Sequence, residues 1–173
     1  MSDTVAPTAA PAVGPHGGMT SRERVRAALA HREPDRIPFD MGGSRVTGIH
    51  VRAYTRLRAL LGLPAGDPRV GDITQQLADV EADVLDALGC DVRGVLPRAT
   101  FAYRREIRED GEYRMFVDEW GVGRRTPRVG GLYYDAYAPP LGGDVTDAAI
   151  DAYPWPDAAD PARVAGMAEE ARG

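Results

Sequence analysis

The chain has 173 residues and a mass of 18.6 kDa, 43% of them hydrophobic and 27% charged, a balance that predicts one folded domain with or without a tail. Its formal net charge of -5 and pI near 5.2 argue against a generic nucleic-acid binder, and no apolar run reaches the roughly eighteen residues of a membrane span. All 21 basic residues are arginine, which excludes P-loop and Schiff-base lysine chemistry, and Cys90 as the single cysteine excludes an internal disulfide or a cysteine-built zinc site within this chain.

A lone cysteine fits a reducing cytoplasm. Residues 1–18 are rich in Ala, Pro, Gly and Thr and have neither the basic nor the apolar region of a secretory signal. They cannot bury a core and are expected to form a disordered tail, with His16 inert. The folded unit is expected over residues 19–173.

Thr20 and Glu23 have the spacing of a capping box, and Val25, Ala28 and Leu29 follow as a helical stripe that must stop before Pro34. Arg36-Ile37-Pro38-Phe39-Asp40 reads as a short strand, and the glycine pair Gly42-Gly43 opens a loop through Arg45. Val51, Tyr54, Leu57, Leu60 and Leu61 lie on one face of a helix that Gly62 stops. Asp72 and Gln75 fit a second capping box, and Ile73, Leu77, Val80, Val84, Leu85 and Leu88 predict one long helix ending at Gly89. Residues 91–96 read as a strand with Asp91 as a structural residue at its start.

The pattern then changes. Residues 105–108 and 113–117 flank Asp110-Gly111, which predicts a two-residue hairpin of type I′. Residues 118–121 and 130–134 read as further antiparallel pieces. Thr146 is placed to cap a short helix through Ile150, and Asp160 with Pro161 to cap a last one running through Met167. Strands separated by helices predict parallel pairing with right-handed crossovers. Two such strands cannot cover both faces of a parallel sheet, so the expectation is the front part of a larger α/β protein; a complete small α+β domain is the alternative.

The order and wording of five segments resemble the uroporphyrinogen decarboxylase family: MTSRERVRAALAHREPDRIPFD, GGSRVTGIH, ALGCDV, DEWGVGRRTP with GLYYDAYAPPL, and YPWPDAADPARVAGMAEEA. The resemblance runs from Met19 to the last residue and rests on the ordered set rather than on one motif. It implies the N-terminal portion of a (β/α)8 TIM barrel, a fold of about 250 residues and eight strands. Residues 37–40 would be its first strand, residues 92–96 its second, and the hairpin an insertion after that. The implied activity is carboxy-lyase chemistry on a tetrapyrrole or related anion, as in porphyrin biosynthesis. The alternatives are corrinoid-dependent methyl transfer on the same fold and a non-catalytic binding module.

The family's decarboxylases carry an arginine-rich loop, MRQAGR, after the first strand, where guanidinium groups neutralise substrate carboxylates. Here that loop keeps only Arg45, with Gly42 and Gly43 beside it; these three are the substrate-binding candidates, a solvated loop arginine being the plain alternative. Asp40 at the strand end and His50 at the next helix start are the catalytic candidates, as a cation or arginine partner and as a general acid or base. The aspartate these enzymes place near the end of the second strand has no counterpart, since Pro97 or Arg98 falls there. No cofactor or metal ligand is assigned in this chain; zinc ligands of a methyltransferase would lie in the missing half. The expected partners are a small anionic substrate and, at most, a second copy in a homodimer, with no nucleic acid and no membrane.

Overall fold

The computed structural model describes residues 18–100 and 102–172. All but Gly18 of the expected tail lies outside the described residues. Helix α1 spans Ser21–Leu29 and opens on the expected capping box: the Glu23 amide donates to Thr20 Oγ1 (3.3 Å) and the Thr20 amide to Glu23 Oε2 (2.8 Å). Its buried face is not the apolar stripe. Arg24 and Ala27 are buried, whereas Leu29 is 77% exposed, because Arg24 is drawn inward by Asp35 and Asp91. Helix α2 spans Val51–Leu60, and Gly62 follows it at φ 69°, the left-handed conformation expected of its stop.

The long helix expected from Asp72 to Leu88 is half helix and half hairpin. Strands β1 (Val70–Asp72) and β2 (Leu77–Ala78) pair antiparallel, and only Ala82–Leu88 forms helix α3, ended by Gly89 at φ 65°. The Asp72 carboxylate does accept the Gln75 amide (2.9 Å), but tertiary partners take the backbone that a helix would need. The Val51 amide donates to Gln76 O (2.9 Å), the Ala78 amide to Ile49 O (2.9 Å) and the Tyr134 amide to Thr74 O (2.8 Å). Tyr54, Ala78 and Val84 form the core between these elements, with Ile49, Leu57, Val80 and Leu88 packed around it.

The second sheet is an antiparallel meander in the order β3 (Arg108–Asp110), β4 (Tyr113–Val117), β5 (Gly123–Pro127) and β6 (Asp135–Ala138). Asp110 pairs with Tyr113, so the hairpin tip is Gly111-Glu112, one residue beyond the expected one. Gly111 has φ 55° and Glu112 no positive φ, the pattern of a type II′ rather than a type I′ turn. Residues 118–121 form a turn around Asp118 instead of a strand. Phe116 packs edge-on against Tyr134 (5.0 Å between ring centres) on the sheet's inner face. Thr146 caps α4 (Asp147–Asp151) as expected; beyond Asp160, a 3-10 turn (Pro161–Arg163) and the short helix α5 (Met167–Glu170) replace one helix, because Gly166 breaks the run at φ 79°.

The expected front portion of a (β/α)8 barrel is not what the chain forms. Among the described residues both sheets are antiparallel, and residues 37–40 and 91–96 carry no strand. The physical reason lies in prolines and in one carboxylate. Pro38 brings no N–H to a ladder. The Phe39 amide is taken by Asp91 Oδ2 (2.8 Å), so one backbone bond joins the segments, from the Asp91 amide to Phe39 O (2.8 Å). Ile37 (86% exposed), Val46 (87%) and Leu60 (72%) stay open to solvent.

Candidate functional site

Two adjoining cavities of about 320 and 680 Å³ form a continuous cleft, sharing Arg45, Asp72, Pro97, Arg98 and Arg105 in their walls. Together they fall in the size range of small-molecule sites. The loop after Asp40 supplies one wall, the β1 end and its turn the floor, and residues 97–99, 103 and 105 the middle. Phe116, Glu119 and Trp120 of the meander and Arg163 close the smaller cavity; Glu170 reaches the larger.

Five arginines line this cleft, and four of them face a carboxylate, Arg93 meeting Asp86 at 2.6 Å. Arg45 reaches Asp72 at 3.5 Å, Arg98 meets Glu170 at 2.7 Å, and Arg163 meets Glu119 at 3.2 Å. Arg105 has no carboxylate partner among the described residues. Its guanidinium stands over the rings of Phe116 (5.5 Å) and Tyr103 (6.0 Å), a cation–π seat that leaves its N–H fork open. Tyr103 is itself held by its hydroxyl donating to Val117 O (3.0 Å).

The structure brings only part of the sequence-derived candidate set to this place. Arg45 lines both cavities, and Gly42, at φ 80°, lines the larger. Gly43 sits behind the wall, where a Cβ on Gly94 would meet Gly43 O at 2.7 Å, so the glycines allow loop and chain to cross backbone on backbone. Asp40 is outside the cleft lining; its Oδ1 accepts the Gly43 amide (2.9 Å) and shapes the loop. His50 is likewise outside. It is the N-cap of α2, and its Nδ1 accepts the Arg52 amide at 3.1 Å, which leaves the proton of a neutral ring on a buried Nε2 without a partner. His50→Ala is expected to destabilise the fold by about 0.5–2 kcal/mol through the lost cap, and His50→Asn to restore most of it, as read by urea denaturation.

Arg93, Arg98, Arg105 and Arg163 are cleft residues outside the sequence-derived candidate set. Arg105 opens the expected hairpin arm, and its signal in the sequence is Tyr103, the aromatic two residues before it. Asp91 is a fully buried carboxylate that holds Arg24 (2.5 Å) and Arg36 (2.6 Å) behind the loop. Burial pushes its pKa up, but hydrogen bonds from the Phe39 amide, Arg36, Ser21 and Arg24 outweigh that and hold it down at about 2. Burial raises the Cys90 thiol, which disfavours the reactive thiolate. Among the described residues no cluster of three or more His, Cys, Asp or Glu side chains is arranged for a metal ion, and no helix is long and apolar enough to cross a membrane.

Comparisons with protein-family models, with curated proteins and with solved structures returned no match.

Proposed function

We propose that the chain serves a carboxy-lyase-like enzyme acting on a small anionic substrate, which it binds in the arginine-lined cleft. The observation that carries this reading is Arg105: a cation seated on two rings, facing a cavity, with its donors uncommitted to any carboxylate among the described residues. A guanidinium held this way is organised in advance for a planar carboxylate. Arg45, whose contact with Asp72 is long, is the second cation within reach of the same ligand. Breaking the bond to a carboxyl group releases CO2 and leaves its electron pair on the substrate carbon, where fixed cations stabilise the developing charge until a proton from water takes the place of the CO2. The resemblance to the uroporphyrinogen decarboxylase family supports the same substrate class.

The test is calorimetric titration of uroporphyrinogen, with CO2 release as the second readout. Arg105→Ala is expected to weaken binding roughly tenfold to a hundredfold, the worth of a lost charge-assisted hydrogen bond of about 1.5–3 kcal/mol. Arg105→Lys should recover part of it, because an ammonium cannot reproduce the fork. Binding of methylcobamide with a thiol, and none of uroporphyrinogen, would replace this reading by methyl transfer. Affinity for uroporphyrinogen that is indifferent to Arg105 would remove the cleft as its site.

A further inference from the structure

We infer that Glu170 is an internal competitor for the ligand: its carboxylate occupies Arg98 of the cleft until an incoming anion displaces it. The inference rests on the cleft reading above and adds its regulation. Arg98 lies in the wall shared by both cavities, beside Arg105, and Glu170 projects into the larger one. The pair is one hydrogen bond, from Arg98 Nη2 to Glu170 Oε1 at 2.7 Å, with the side chains 55% and 48% exposed. An ion pair so open to water holds weakly, and the remaining guanidinium donors stay available to a second carboxylate.

The segment that brings Glu170 there is suited to letting go. Helix α5 has four residues and none of them is buried. Gly166 precedes it in the left-handed conformation and turns the chain close past Arg98, whose Nη2 lies 3.3 Å from where a Cβ would stand. The anchor is one step earlier, where the Arg98 amide donates to Arg163 O (3.0 Å). Of the other carboxylates paired with cleft arginines, Glu119 also accepts the Thr100 amide (3.3 Å), Asp72 accepts the Gln75 amide (2.9 Å), and Asp86, the partner of Arg93, lies outside the cleft lining. Glu170 alone faces the cleft with Arg98 as its one side-chain partner among the described residues.

The experiment is calorimetric titration of citrate into the full chain at low salt, comparing wild type with Glu170→Gln, Glu169→Gln, Arg98→Ala, Arg105→Ala and the Arg98→Ala/Glu170→Gln double variant. Glu170→Gln is expected to bind citrate twofold to fivefold more tightly than wild type. Glu169→Gln removes the same charge from the same helix without touching Arg98 and should gain clearly less. In the Arg98→Ala background the Glu170 substitution should have no effect. Equal affinities for wild type and Glu170→Gln, an equal gain in Glu169→Gln, or a gain that survives Arg98→Ala overturns the inference. Citrate binding that depends on Arg105 but not on Glu170 would overturn it while keeping the cleft, and no binding by any variant overturns both.

Discussion

Asp91→Asn is expected to lower folding stability by about 3–5 kcal/mol, the range for breaking a buried charge pair by removing one partner. The side chain is fully enclosed, and the substitution leaves the guanidinium of Arg24, itself only 6% exposed, without half of its counter-charge. It also weakens the acceptor for the Phe39 amide (2.8 Å) and for Arg36 (2.6 Å), so α1, the segment at Phe39 and the chain after α3 lose their common fastening. Equilibrium unfolding in urea measures the loss; a change under about 1 kcal/mol would show that the three segments hold without it. The wild type carries a second signature. The carboxyl is held at about 2 in the folded chain and titrates near 3.9 in an unfolded one, so its contribution is complete above about pH 4 and is lost as the pH falls towards 2. Asp35, held well below the usual carboxylate range by Arg24, loses its contribution in the same direction. The melting temperature of wild type should therefore fall steeply between pH 4 and pH 2, and less steeply in Asp91→Asn.

The other large effect is expected at Tyr54. Its ring is fully buried at the centre of the first core, and truncation to Ala should destabilise by about 3–5 kcal/mol. Tyr54→Phe separates packing from polarity. The hydroxyl donates to Glu81 Oε2 (3.2 Å) and accepts from the Glu81 amide (3.0 Å) and Arg58 Nη1 (3.3 Å), which uses its full capacity. Removing it takes an acceptor from the Glu81 amide and from the buried Arg58 guanidinium, for a loss of about 1–3 kcal/mol. Thermal melts of the two variants resolve the two parts; a Tyr54→Phe protein as stable as wild type would assign the whole effect to packing.

Legibility followed the range of the interactions. The capping box of α1, the αL glycines after α2 and α3 and the Thr146 cap of α4 are set within four residues, and their side chains and backbone need no distant partner. The hairpin was visible for the same reason, although its tip lay one residue on, because cross-strand pairing at Asp110 and not the dipeptide chose the register. In the site, Arg45 was legible as a cation in a glycine loop. Arg93, Arg98, Arg105 and Arg163 were not, since nothing in their local spacing tells that positions far apart in the chain line one cleft.

What the sequence determined by itself was therefore local: the starts of α1 and α4, the stops of α2 and α3, the place of the meander's first turn to within one residue, an all-arginine supply of cations and the absence of lysine and internal-disulfide chemistry. The tertiary structure decided the rest. The apolar period over residues 73–88 suits one long helix, but the backbone of residues 74–78 is bonded to α2, to Ile49 and to the meander, and those contacts outweigh propensity. The parallel sheet failed for a matching reason. Pairing of residues 37–40 with 91–96 needed free amides on both, and a buried carboxylate, pinned by two arginines from distant positions, took the one beside Pro38. A carboxylate's partner is chosen by the fold, not by its neighbours in the chain, and so it is the contact that a local reading misses.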